Sequence, residues 1–480
     1  MKYTSNDASG IGASCTLLSL DGKNILIDTG ISFEKMDQGN IARGPSGGYF
    51  EGDHIDLIII THSHNDHIGS LPRFAREHPE ALIIITRQAL NTGQIMLWDA
   101  LSISEKLKLE RPEIEQVFTE SDMYKFSALD DSRIVIIEED ELPAIQEDPE
   151  FPNWVFGFHP IGHDPGAIMI FIAPPTGRPV IITGDASAHD QGIVKGVLVP
   201  DEKFLSAFLG GREAPILIAE ATGGTKMPRV MPPEMSIVEA VNYSRELTMK
   251  ELIQSVHDVK NRGGQCLFPT FAKGRSANVV LALIDAGFVP HLDGLACKLF
   301  MLEVSNAKEL ITKGKVILIE GGRLGFEHRK ALWSGSDTCG HDFSPMIVPS
   351  ATLDGGWSAE YARHFMGNAK NAVIFTGHIF TDSTSEKVIN LEKGHTIKLR
   401  SFIDDRDVRV YVRCEVKHFD LSAHDSRPAI VERIRLLRPA HTIIQHCDEK
   451  SFRAVAGDVI DLNIDTRTHR GYGRREFEIN

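Results

Sequence analysis

The stretch LIIITHSHNDHIGSLPRF, residues 57–74, sets His62, His64, Asp66 and His67 directly behind an apolar run rich in β-branched residues. Residues 57–60 have the length and composition of a buried strand, and Gly69, Pro72 and the following RFAREH predict a turn that runs into a helix. The cluster therefore belongs to a strand-to-helix loop held by a rigid sheet, where binding and catalytic groups concentrate. Imidazole nitrogen and carboxylate oxygen are zinc ligands, and a catalytic zinc keeps one position for water. His62 and His64 alternate along extended backbone and can point to one side. Asp66 and His67 follow one short turn later and can face a second metal beside the first. The spacing H-x-H-x-D-H thus predicts two adjacent half-sites.

With 480 residues, 42% of them hydrophobic, the chain has material for two or three domains with real cores. Lys plus Arg is 51 against 66 for Asp plus Glu, a formal charge of −15, which excludes a protein that coats nucleic acid nonspecifically. A polyanionic substrate would need a local positive site, and bound divalent metals can supply one. Cys15, Cys266, Cys297, Cys339, Cys414 and Cys447 form no CxxC pair, and the opening MKYTSNDASGIGASC has no apolar signal core. The expectation is a protein of the reducing cytoplasm, and no apolar run reaches the roughly 20 residues that span a bilayer.

Along the chain, ASCTLLSL and KNILIDTG joined by DG read as a hairpin. Strands are expected at ALIIITR, RIVIIEE, GAIMIFIA, PVIITGD and APILIAEA, with helix between 95 and 130. EEDELPAIQEDPEFP, residues 138–152, reads as an acidic connection. After Glu220 the helical segments MSIVEAVNYSRELTMKELIQSVHDVKNRGG and SANVVLALIDAG alternate with single strands QCLFPTFA, KVILIE, MIVPSA and NAVIFTG, the βαβ rhythm of a parallel sheet. From about 395 the reading returns to strands, up to HTIIQHC.

The motifs ILIDTG with Asp28, THSHNDHIG, PIGHDPGA with His163 and IITGD with Asp185 resemble the successive motifs of the metallo-β-lactamase fold. ILIAEAT with Glu220, PTFAKGRSANVVLAL, FDLSAHDS with His424 and TIIQHCDE with His446 resemble the additional motifs of the β-CASP nucleases. The resemblance implies an α/β class, an αββα metallo-β-lactamase sandwich from residues 1–222 and 394–480, with a β-CASP domain of mainly parallel sheet inserted over 223–393. It implies two Zn2+ per chain, one held by His62, His64 and His163, the other by Asp66, His67 and His446, with Asp185 bridging. Asp28 would orient a ligand histidine, and Asp66, Asp185, Glu220 and His424 would be catalytic, with Glu220 orienting His424 as proton donor.

The implied activity is two-metal hydrolysis of RNA, single-stranded by expectation, to 5′-phosphate and 3′-hydroxyl ends. The histidine at 446 is the feature of the RNA-processing members, where DNA-repair members carry valine. A DNA nuclease, a scaffolding pseudo-nuclease and a small-molecule hydrolase are the rivals, and a homodimer or a partner in a processing complex is left open. In FAKGRS, Lys273, Gly274, Arg275 and Ser276 are expected to form a substrate-binding helix start, where Gly274 permits close approach and the basic residues add charge. His378 stands where relatives carry an aromatic residue. RTHRGYGRR, with Arg467, Arg470, Arg474, Arg475 and Tyr472, is a candidate to track a backbone or stack a base, against a solvated tail.

Overall fold

Asp21 and Gly22 both take positive φ, 43° and 79°, the reversal that a two-residue hairpin requires. They join Thr16–Leu20 to Lys23–Ile27 in antiparallel register. A computed structural model describes residues 1–5, 11–36, 39–43, 54–130, 132–319, 321–334, 343–392, 394–401, 403–404, 406–473 and 475–479. Cys339 and Arg474 lie outside them. The chain divides into two units, one of Met1–Asp190, Val194–Val241 and Ala423–Asn480, the other of Gln191–Ile193 and Asn242–Ser422.

In the first unit one sheet runs in the order Arg475–Glu478, Lys2–Ser5, Thr16–Leu20, Lys23–Ile27, Leu57–Ile59, Leu82–Thr86, Ile134–Ile137. The other runs Arg467–Arg470, His441–Gln445, Ile216–Glu220, Val180–Ile182, Ile168–Ala173, Phe151–Pro160, Ala144–Asp148. Strand alternation sorts the apolar side chains into layers. Ile25, Ile27, Ile170, Ile172, Ile218 and Ile443 share one core. Leu26, Ile58 and Ile83 pack instead with Leu71, Phe74 and Leu97 of the helices Leu71–Glu77 and Arg87–Glu110. Phe171, Leu217 and Ile444 pack with Phe208, Ile434 and Val455 of Glu202–Leu209, Arg427–Leu437 and Glu449–Asp461. The result is the expected αββα sandwich.

The second unit holds an all-parallel sheet in the order Ile317–Leu318, His291–Leu292, Met346–Val348, Cys266–Pro269, Ala372–Phe375, Glu415–His418. Such a sheet is buried on both faces. One face packs on Val280, Leu283, Val256 and Phe300, the other on Tyr361, Phe365, Leu399 and Val410.

Two expectations need correction. The return to the first unit comes at Ala423 rather than at 394, because Glu415–His418 is the sixth strand of the parallel sheet and the hairpin Thr396–Arg400/Asp407–Tyr411 covers its core. The acidic connection contains the strand Ala144–Asp148, paired with Phe151–Pro160. Among the described residues no helix is long and apolar enough to cross a membrane.

Candidate metal centre

The strand Leu57–Ile59 ends beneath Thr61, and the chain then closes one helical turn, Asn65–Ile68. Extended backbone before this turn brings His62 Nε2 within 2.9 Å of His64 Nδ1. The turn itself carries Asp66 and His67 to a second position. Gly30 is the floor under it, since a Cβ there would stand 1.8 Å from the Asp66 carbonyl oxygen.

Two groups of ligand-grade side chains converge, His62 with His64, His163 and Asp185, and Asp66 with His67 and His446. His163 Nε2 is 3.1 Å from His64 Nδ1. Asp185 reaches both groups. Its Oδ2 lies 3.7 Å from His62 Nε2 and 3.6 Å from His163 Nε2, and its Oδ1 lies 3.3 Å from His67 Nε2 and 3.4 Å from His446 Nδ1. Asp66 Oδ2 is 3.5 Å from His446 Nε2.

The donor set fits divalent metal. His67 Nε2 and Asp185 Oδ1 are buried, face each other, and have no hydrogen-bond partner among the described residues. Buried polar atoms are normally satisfied, and a cation is the group that satisfies two lone pairs at once. Burial holds His62 well below the ordinary imidazole value and brings His163 down to about 3, so both are neutral, as ligands must be. Burial also disfavours the charged form of His67 and His446, but carboxylates overcome it. Asp185 and Asp28 raise His67, and Asp185 and Asp66 raise His446 to about 9. These two imidazoles sit in a field built for positive charge.

The surroundings orient the ligands. Asp28, itself at φ 61°, accepts from Thr61 N–H at 2.8 Å and lies 2.7 Å from His67 Nδ1. His67 Nδ1–H therefore donates to the Asp28 carboxylate, which turns Nε2 toward Asp185. The Ala423 carbonyl is 3.0 Å from His163 Nδ1, and Thr222 Oγ1 is 2.9 Å from His446 Nδ1. Thr61, Thr222 and Ala423 escape a reading from sequence. A hydroxyl or carbonyl next to a ligand motif is the one local hint, and it is a common one.

Beside the first group, His424 Nδ1 lies 3.2 Å from Glu220 Oε1 and 3.9 Å from Asp185 Oδ2. Glu220 is fixed by Ala186 N–H to Oε1 at 3.2 Å and Thr222 N–H to Oε2 at 2.7 Å. Burial opposes charge on His424, yet Glu220 and Asp185 raise its pKa above the ordinary value; burial works to raise Glu220, and His424 outweighs it. The protonated form of the imidazole is thus favoured beside the candidate ligands.

FAKGRS behaves otherwise than expected. Lys273 is buried and its Nζ is 3.7 Å from Glu303 Oε1. The Glu303 carboxylate also accepts from Gly274 N–H at 3.0 Å, so an internal anion fills the helix start. Ser276 is engaged with Thr270 and the Phe271 carbonyl. Arg275 is buried too, with Nε and Nη1 lacking a hydrogen-bond partner among the described residues. His378 is exposed with its ring against Phe380. Arg467–Arg470 is a strand and no tail, paired parallel with His441–Gln445, and Tyr472 is buried with its hydroxyl on Glu449, so it offers no face to a base.

Residues 9–212 match the family described as the Metallo-beta-lactamase superfamily. The chain is 25% identical over 459 residues to Integrator complex subunit 11 of Danio rerio, covering 92% of this chain and 68% of that protein. It is 24% identical over 453 residues to Probable RNase MJ4 of Methanocaldococcus jannaschii, covering 92% and 91%. It is 25% identical over 453 residues to Cleavage and polyadenylation specificity factor 73 of Drosophila melanogaster, covering 92% and 58%. A solved structure, a protein of unknown function from Enterococcus faecalis V583, shares the fold at TM-score 0.55 and 12% identity, covering 100% of this chain and 99% of that one. Residues 9–212 thus carry a metallo-beta-lactamase superfamily domain, and over most of its length the chain aligns with these RNA-processing relatives.

Proposed function

We propose that the protein is a zinc-dependent ribonuclease that hydrolyses phosphodiester bonds to 5′-phosphate and 3′-hydroxyl ends. The observation that carries this reading is the Asp185 carboxylate, one oxygen toward each ligand group, with the Glu220–His424 pair beside it. Two zinc ions held by these side chains would supply an activated water and electrophilic stabilisation of the phosphoryl oxygens. His62, His64 and His163 would hold one, Asp66, His67 and His446 the other, with Asp185 shared.

The protein's own groups do the rest. Asp28 keeps the proton of His67 on Nδ1. Glu220 accepts the Nδ1–H of His424, which leaves the Nε2–H of the imidazolium for the substrate. Water adds to phosphorus and releases a proton to solvent, the bond to the 3′ oxygen breaks, and His424 gives that oxygen its proton and is reprotonated from solvent. The names of the relatives, an RNase and subunits of Integrator and of a cleavage and polyadenylation factor, support RNA over DNA and work within a processing complex. Single-stranded RNA is the form whose backbone can bend into such a site, and a cytoplasmic location accords with the free thiols of Cys15, Cys266, Cys297, Cys414 and Cys447.

The deciding experiment incubates purified protein with end-labelled RNA and DNA, with and without chelator, and maps product ends. RNA cleavage abolished by chelator, leaving 5′-phosphates, is the expected result. Preferential cleavage of DNA, or no cleavage of either, would overturn the reading.

A further inference from the structure

Next to His424 stands a buried ion pair that the reaction above does not use. Asp425 and Arg433 are 1% and 2% exposed, and Asp425 Oδ2 accepts from Arg433 Nη1. Each guanidinium nitrogen is engaged, with Nε donating to the Leu198 carbonyl at 2.6 Å and Nη2 to the Val197 carbonyl at 2.9 Å. The other carboxylate oxygen of Asp425 accepts from Ala188 N–H at 2.6 Å, and Asp425 N–H donates to the Ala186 carbonyl at 2.9 Å. Ala186 N–H in turn donates to Glu220 Oε1, the atom that faces His424 Nδ1. The segment that carries Asp185 is therefore stitched to the segment that carries His424 by bonds on either side of the pair. A third segment closes the seat, because a Cβ on Gly223 would stand 2.0 Å from the Asp425 carbonyl oxygen.

A buried ion pair is a poor stabiliser compared with apolar residues of the same volume. What it does supply is directional anchoring, three guanidinium bonds and two carboxylate bonds in one geometry. We propose that Asp425 and Arg433 are positioning residues that fix the imidazole of His424 against Asp185 and Glu220, an inference that rests on His424 as the proton donor. A displacement of about 1 Å at a reacting group is enough to cost on the order of 100-fold in rate.

The test compares Asp425→Ala with Asp425→Asn/Arg433→Met, which removes both charges but keeps an oxygen for Ala188 N–H. Asp425→Ala is expected to lose about 100-fold in kcat with KM and metal content unchanged. The paired variant, which loses the guanidinium bonds without stranding a charge, is expected to show the same loss, and its recovery would assign the loss to a stranded charge and overturn the proposal. On RNA with sulfur in place of the 3′-bridging oxygen, which leaves without an acid, the loss should nearly vanish. A folded Asp425→Ala with wild-type kcat, an equal loss on the sulfur substrate, or a loss explained by missing metal would each overturn the proposal. Should Asp425→Ala fail to fold, Arg433→Lys carries the same comparison, since an ammonium cannot hold all three partners. If the wild type cleaves neither substrate, the function reading fails separately. The positioning is then read from the imidazole 15N signals of His424, which Asp425→Ala must move; unmoved signals would refute it.

Discussion

The carboxylate of Asp28 meets Nδ1 of His67 at 2.7 Å, and that contact decides which nitrogen of His67 faces Asp185. Asp28→Ala should therefore lower metal affinity at the group of Asp66, His67 and His446 by about 10- to 100-fold, while leaving the other group loaded. Chelator competition with elemental analysis checks this, and equal weakening of both sites would contradict it.

Acid should release metal in two steps. Protons compete with metal for imidazole lone pairs. His67 and His446 have raised pKa values, His446 about 9, whereas His62 is depressed and His163 lies near 3. As pH falls, the Asp66–His67–His446 group protonates first and should empty first. Metal content of protein dialysed across a pH series, with His446→Ala as reference, reads the order.

His424 works as an acid only while protonated. Its pKa is raised by Glu220 and Asp185 against the pull of burial, so cleavage should persist above the ordinary imidazole pKa and fall as pH climbs through the raised value. His424→Ala should keep its metal, lose about 100- to 10,000-fold in kcat, and lose that alkaline limb. The sulfur-bridged substrate should restore much of the His424→Ala rate and little of the His446→Ala rate, because His446 is proposed as a ligand.

Asp66→Ala and Asp185→Ala should each abolish cleavage and leave the fold intact, since neither residue belongs to the apolar cores. Circular dichroism with a cleavage assay distinguishes this from global unfolding.

Lys273→Ala should act on stability. It strands the buried carboxylate of Glu303 without its cation, which typically costs about 3–5 kcal/mol. Denaturant unfolding measures the loss. The salt dependence of RNA binding should stay as in the wild type, because Lys273 already has an internal partner.

The ligand-grade cluster near the opening motif is legible because the chemistry is local: four donors on one loop behind one strand. His163, Asp185 and His446 were legible through strands of strong apolar character that end beside them. Lys273 was misread because its partner Glu303 lies a whole strand and helix downstream, and a basic residue at a helix start looks the same whether it waits for a ligand or neutralises a carboxylate. The strand Phe151–Pro160 was missed because Pro152, Asn153 at φ 68° and Gly157 interrupt the alternation, and the register shifts between Phe151 and Phe156. Thr222, Asp425 and Arg433 act through backbone groups far away in sequence, and nothing in their neighbourhoods signals it.

The order of strands also sets a timetable for synthesis. Lys2–Ser5 pairs with Arg475–Glu478, made long after it, and the Met1 amine bonds the Ile479 carbonyl at 2.9 Å. The strand His441–Gln445, which delivers His446, lies between Ile216–Glu220 and Arg467–Arg470. Every strand of the parallel sheet, by contrast, lies between residues 266 and 418. On the ribosome the second unit can complete its core while the first still lacks strands in both of its sheets. A nascent chain therefore lacks the last side chain of the candidate metal centre until His446 emerges, after the whole parallel sheet has been made.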